Sequence, residues 1–395
     1  MKSLQLFLLL FCVGNVLSHA MALDQLTKVN LTIEEQRVDK AQQVMPVNNH
    51  YFVGDVFKSA WPKVTNYQAA KQLLANLGED LWSFAKHQVQ TGKLVDDRPL
   101  YWSRLALKRF IKQTSKHFSD SELISLLEVF ERHSRGYRDL AFSQATDKKI
   151  LLTGFDPFLL DRNIKQSNPS GLTALLLDGV VIEYQQGDKK ITAEINTAMI
   201  PVRFEDFDQG EIESLLAPFY ATNRVDMIAT ISMGRSNFDL EHFPGLRRSS
   251  KAPDNLNIYS GADLNKPIIP LLTDRLLVGA EFVEYSLPFQ AMMQAKGHYK
   301  INDNRGVTVL RSGKATDIIA LNLAELRDKV SVQGGGGGYL SNEISYRSIR
   351  LKNLLQSSIP TGHIHTPSIG DFDQSINKKI TAQIEAMLIL ALAEI

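Results

Sequence analysis

The sequence predicts an α/β protein: a three-layer helix/sheet/helix domain with a mostly parallel twisted sheet, preceded by a small all-helical region. Three observations carry that expectation. Apolar residues recur at helical spacing between Ala70 and Phe130. From Ile150 onward, short apolar runs alternate with helical segments, as in sheets covered by helices on both faces. Near the C-terminus, Gly334 to Gly338 separate a strand-like run, Val330 to Gln333, from a helical face made by Ile344, Leu351 and Leu355. With 44% hydrophobic and 22% charged residues over 395 positions, the composition is that of an ordinary globular chain. A formal net charge of +1 offers no basic field for nucleic acid and no acidic tail.

The elements follow in order. Lys2 precedes an apolar run, Leu6 to Phe11, which continues from Val13 to Leu17, with small residues at Ala20 and Ala22. This is the pattern of a secretory signal peptide over residues 1–22, cut at Ala20-Met21-Ala22. The run is shorter than the roughly 20 apolar residues of a membrane span. The expectation is export, to a periplasm or to the medium, with no membrane span after signal removal. Cys12 is the single cysteine, so the processed chain holds no thiol and no disulfide.

Residues 23–147 read as the helical region. Leu23 to about Trp61 is polar and weakly patterned, an extended arm. A helical stripe runs from Ala70 to Ala85, a second helix from about Leu100 to Gln113. A third opens on a capping box, Ser119 to Glu122, and Gly136 marks a helix end. Ser143 to Lys149 is a polar link to a second domain, 148–395. There, Lys149 to Phe155 is a buried strand, and Asn168-Pro169-Ser170 starts a helix closed by Gly179. Strands follow at Val180 to Tyr184 and Ile191 to Pro201, a helix from Gly210 to Tyr220, and a strand from Val225 to Ile231. A short strand, Thr361 to Ile364, precedes His365. Ligands of such sheets bind beyond the strand C-terminal ends. Four stretches at such ends are expected to converge: Phe155 to Phe158, Ser232 to Arg235, the glycine run before Ser341, and His365. Ser341 stands at or near a helix N-terminus, where free N–H groups suit an oxyanion. An ordinary N-cap is the plainer role for it.

These stretches carry a resemblance. Thr153-Gly154-Phe155-Asp156-Pro157-Phe158 with Asn168-Pro169-Ser170 resembles the opening signature of the type I pyroglutamyl peptidases (pyrrolidone-carboxylate peptidases). Gly234-Arg235 followed by Phe238-Asp239-Leu240-Glu241 resembles that family's glycine-arginine segment. Pro253-Asp254-Asn255 matches a downstream turn of that family, and Leu287-Pro288 with Ala291-Met292 a helix start. Gly337-Gly338-Tyr339-Leu340-Ser341-Asn342 resembles the nucleophile segment, and Gly362-His363-Ile364-His365-Thr366-Pro367 the histidine segment. The order agrees over roughly Ile150 to Ile395, with Gly297 to Lys329 partly an insertion. The resemblance implies a catalytic glutamate at Glu241 and a catalytic histidine at His365. The family's nucleophilic cysteine falls on Ser341, its following histidine on Glu343, and an aromatic residue on His363.

The family is generally cytosolic and lacks the helical N-terminal region; the signal-peptide pattern and the resemblance together imply an exported hydrolase that removes N-terminal pyroglutamate from peptides by a Ser341-His365-Glu241 arrangement. Phe155, Phe158, Asn168, Arg235 and Gly338 are its expected substrate-binding residues. A hydroxyl leans more fully on its base than a thiol does. A protein that binds pyroglutamyl peptides without cleaving them is therefore the non-enzymatic alternative. A metal-dependent hydrolase using His363 and His365, two apart on one strand face, is the third, with Asp371 and Asp373 nearby. No cofactor, nucleic acid or metal is expected for the first reading, and homo-oligomerisation is left open. Plain roles stand beside these: Phe155 and Phe158 as core, Glu241 as a surface charge, Arg235 as an ion-pair partner.

Overall fold

The computed structural model describes residues 30–45 and 55–395. The expected signal peptide lies outside the described residues. The segment read as an extended arm instead contains short helices: α1 (Ile33–Gln36), α2 (Val38–Val44) and α3 (Asp55–Ala60), the last running into a 3-10 turn at Trp61–Lys63. Thr32 and Glu35 cap α1 reciprocally. Val38, Ala41, Met45 and Trp61 are buried. The helical pattern was hidden because charged residues are buried with them. Glu34 and Glu35 are paired with Arg203 and Lys112.

Helices α4 (Tyr67–Gln90), α5 (Arg98–Thr114) and α6 (Asp120–His133) follow, and Ser119 and Glu122 form the expected capping box. Strand β1 (Lys148–Phe155) leads to α7 (Pro169–Leu177), β2 (Val180–Gln186), β3 (Lys189–Ile200), α8 (Phe204–Asp208), α9 (Glu211–Thr222), β4 (Met227–Met233) and β5 (Phe238–Glu241). Then come β6 (Leu271–Leu272), β7 (Arg275–Leu276), α10 (Phe289–Met292), β8 (Ile301–Asn304), β9 (Gly306–Arg311), β10 (Lys314–Ile319), β11 (Val330–Gln333), α11 (Leu340–Leu354), β12 (Thr361–Thr366) and α12 (Gln374–Ala391).

The central sheet has the order β2-β3-β1-β4-β12-β5-β8. Its middle, β3-β1-β4-β12, is parallel, and β2 and β5 run antiparallel to their inner neighbours. Alternation along β1 divides the core: Ile150 and Leu152 pack toward α12, Leu151 toward α9 and α11. Two expectations are corrected. Strand β11 belongs to a separate antiparallel sheet, β10-β9-β11, so the glycine run does not leave a central strand. His365 lies within β12 rather than after it.

The helical region is not insulated from the sheet domain. Leu77, Leu81 and Trp82 of α4 share a core with Leu172 and Leu175 of α7 and Met199 of β3. The polar link is tied down as well, since the N–H groups of Ser143 and Gln144 donate to the Glu194 carboxylate.

Candidate active site

Helix α11 begins without a side-chain cap, and its N-cap residue is Tyr339. Ser341 therefore sits inside the first turn rather than capping it. The first N–H groups of a helix have no partner within it. The start of α11 is fixed by buried Asn342, which accepts from Gly245 N at 2.9 Å and donates to Gly245 O at 2.7 Å.

Strand pairing places the histidine and glutamate. His365 of β12 is opposite Ser232 of β4 and Asp239 of β5. Glu241, the last residue of β5, is fully buried. The Nδ1–H of His365 donates to Glu241 Oε1. A carboxylate oxygen accepts there, which leaves Nε2 as the basic nitrogen. The other carboxylate oxygen accepts from Asn304 Nδ2 at 2.8 Å. The same Nδ2 also donates to Gly335 O at 3.1 Å. Asn304 was not legible in the sequence, because it lies on β8 in the stretch read partly as an insertion.

The glycine run bridges the two halves of the site. A Cβ on Gly335 would lie 2.4 Å from Glu241 Oε2, so only glycine lets the backbone pass. Gly336 O accepts from Ser341 Oγ at 3.4 Å. Ser341 makes no hydrogen bond to His365 in this structure, so the Glu241–His365 pair is closed and the last link is open. Apo catalytic hydrogen bonds are often long and close only with substrate.

Phe155, Phe158, Asn168 and Ser341 line one small pocket, together with Ser232, Met233 and Tyr339. Phe155 is 3% exposed and stacks on Phe207, so it serves core and pocket together. Phe158 stacks on Tyr339, whose hydroxyl donates to Pro253 O at 2.8 Å. Tyr339 was missed as a wall although it stands inside the nucleophile motif. Asn168 Nδ2 donates to Asp156 O at 2.9 Å. The pocket holds about 20 Å³, the room of a single water. A lactam ring enters only if the walls part.

Two expected binding residues are placed differently. Arg235 is exposed and does not line the pocket. The Gly338 carbonyl accepts from Ser249 N and Ser250 N, both at 3.0 Å. Gly338 is thereby a fastening of the turn.

The departures from the family pattern have structural partners. Glu343 is buried between Arg248 (2.6 Å) and Arg347 (2.8 Å). Burial would raise its pKa, but the two guanidinium groups outweigh that and hold it below the usual carboxylate range. His363 is buried with Nδ1 2.7 Å from Thr230 Oγ1 and Nε2 2.8 Å from Ser232 Oγ. Burial, then the neighbouring His365, pushes its pKa well down, so it is neutral. Both its nitrogens are engaged by hydroxyls. Among the described residues no group of three or more His, Cys, Asp or Glu side chains is arranged to hold a metal ion.

Three comparisons bear on this chain. Residues 149–275 and 319–370 match a family model described as "PA0049, C-terminal domain", and residues 18–131 match "PA0049 N-terminal domain". An uncharacterized protein, PA0049 of Pseudomonas aeruginosa, is 28% identical over 78% of this chain and 71% of its own length. Among solved structures, a mutant pyrrolidone carboxyl peptidase from the hyperthermophile Pyrococcus furiosus is 19% identical, with a TM-score of 0.40 over 62% of this chain and 99% of that one. The pyrrolidone carboxyl peptidase of the same organism, solved with its cysteine-free mutant, gives the same figures.

Proposed function

We propose that this protein is an exported hydrolase that removes N-terminal pyroglutamate from peptides, with Ser341 as nucleophile. The observation that supports this most is the buried hydrogen bond from His365 to Glu241, with Nε2 left unbonded. Buried polar groups of this kind are costly unless they serve each other. Here one imidazole is held in one tautomer and one orientation, as a general base requires.

In this reading Ser341 Oγ attacks the pyroglutamyl carbonyl carbon, and its proton passes to His365 Nε2. The oxyanion is met by N–H groups of the first turn of α11. The C–N bond breaks as His365 returns that proton to the departing amine. Water then repeats the sequence on the ester, with His365 again taking and giving one proton. The walls Phe155 and Phe158 would face the flat lactam.

The test is release of a chromogenic amine from a pyroglutamyl amide. Activity insensitive to iodoacetamide is expected. Ser341→Ala and His365→Ala should each lose at least about two orders of magnitude in kcat, and together scarcely more, because such residues act as a unit. Ser341→Cys should keep activity and gain iodoacetamide sensitivity. Activity that survives Ser341→Ala would place the chemistry elsewhere. The second reading, a binder of pyroglutamyl peptides, is favoured by the open Ser341–His365 link. It is the outcome if wild type is inert while Ser341→Cys turns over substrate.

A further inference from the structure

The loop from Asp156 to Asn168 joins β1 to α7. It begins beside Phe155 and carries Phe158 and Asn168, three of the pocket-lining residues. Residues 369–371 and Asn255 hold part of it, through Asn163, Gln166, Ser167 and Pro157, and the helical region supplies a second set of fastenings. Arg104 Nη2 donates to Asp156 Oδ1 at 2.5 Å, and Arg135 Nη2 lies 2.8 Å from Oδ2. All three side chains are at most 2% exposed. Further along, Arg37 grips Asp161 with two hydrogen bonds, at 2.8 and 2.7 Å. Arg98 Nη1 donates to Lys165 O at 2.8 Å. The Asp97 carboxylate accepts from Ser167 Oγ at 2.5 Å and from Asn168 N at 2.8 Å.

Asp156 stands between the pocket residues Phe155 and Phe158. Its carboxylate is drawn toward α5 and the end of α6 by two buried guanidinium groups. Fixing that carboxylate fixes the backbone on either side of it, and so both rings. Two buried guanidinium contacts, at 2.5 and 2.8 Å, leave that carboxylate little room to turn. Ordering the loop in advance removes an entropic cost that substrate would otherwise bear.

We propose that the helical region is a clamp on the substrate loop, with Arg104 and Arg135 as positioning residues that set the pocket walls through Asp156. The proposal rests on the pyroglutamyl reading above. It gives residues 30–45 and 55–142 a task within the same site: they hold the recognition loop rather than the reacting atoms.

The test uses the full chain with three substitutions, Arg104→Lys, Asp156→Asn and Asp161→Asn. Asp161 is exposed in the middle of the loop, so its variant is expected to fold even if the buried ones do not. Two arms are read. The first is kcat and KM for a pyroglutamyl amide. The second is calorimetric binding of pyroglutamic acid, made in the Ser341→Ala background so that it is independent of turnover. Asp156→Asn is expected to raise KM and weaken binding about tenfold with kcat within about threefold. Asp161→Asn should do the same about threefold, and Arg104→Lys should fall between wild type and Asp156→Asn. Hydrogen exchange across residues 157–167 should quicken in step. Folded variants with unchanged KM and unchanged binding overturn the clamp, even if exchange rises. If Ser341→Ala alone binds no pyroglutamic acid and wild type is inert, the pocket reading itself fails, a result distinct from the first.

Discussion

Gly335→Ala is the sharpest perturbation the site offers. The added Cβ would lie 2.4 Å from Glu241 Oε2, a separation real Cβ atoms essentially never show. The backbone cannot retreat easily, because Gly335 N donates to Phe243 O at 3.1 Å and its carbonyl accepts from Asn304. Glu241 must therefore move, and with it the bonds to His365 and Asn304. A hydrogen bond to a charged group contributes about 1.5–3 kcal/mol. At about 1.4 kcal/mol per tenfold, losing it from the transition state predicts a fall in kcat of about 10- to 150-fold. KM should change by less than about threefold, since Glu241 touches no expected substrate atom. Overpacking should cost about 1–3 kcal/mol of stability. Gly337→Ala is the control. Its φ of +84° costs an L-residue about 1–2 kcal/mol, but no atom lies within 4 Å of the new Cβ. Both variants should lose similar stability by urea unfolding, and only Gly335→Ala should lose turnover of a pyroglutamyl amide. The downfield proton resonance of His365 Nδ1 should vanish in that variant alone. Equal turnover in the two variants would refute the coupling of the glycine run to Glu241.

Three further outcomes are expected. Burial, then the adjacent Asp96, pushes the Asp97 carboxyl up from 3.8 to about 7 against its bonds from Ser167 and Asn168. A raised carboxyl stabilises the fold below its ordinary pKa and loses that contribution as pH rises to the folded value. Wild type should lose up to about 1.4 kcal/mol per pH unit relative to Asp97→Asn between pH 4 and 7. Parallel urea-unfolding curves for the two would count against it. A fragment of residues 148–395 should be insoluble or unfolded, because it exposes Leu172, Leu175 and Met199 and leaves Asp156 without Arg104 and Arg135. A soluble fragment with native circular dichroism would refute this. N-terminal sequencing from the native host should begin at Met21 or Leu23, and intact Met1 in the cytoplasm would remove the export reading.

The α/β elements were legible because their patterns are local. Lys149 to Phe155, the helix after Asn168, and the capping box at Ser119 each announce themselves within a few residues. The candidate site was legible only as an order of motifs, and His365 with Glu241 came together as that order implied. What failed to show is long-range. Val330 to Gln333 reads the same whichever sheet it joins, and only pairing with β9 decides. Asn304 looks like any edge-strand residue until Glu241 is beside it. Ser143 to Lys149 is polar enough to suggest a boundary, yet the buried Arg104–Asp156 contact crosses it. A charge buried with a partner far away in sequence gives no periodic signal.

That crossing contact also bears on how the chain acquires its pocket. Arg104 and Asp156 are 52 residues apart, and Arg37 and Asp161 are 124 apart. Contacts of such separation close long loops and tend to form late in folding. The helices α4 to α6 can form early from local contacts. On the clamp proposal, the walls at Phe155 and Phe158 take their final setting only when both halves have met. A chain still emerging would then carry Ser341 and His365 with nothing yet shaped to receive a substrate.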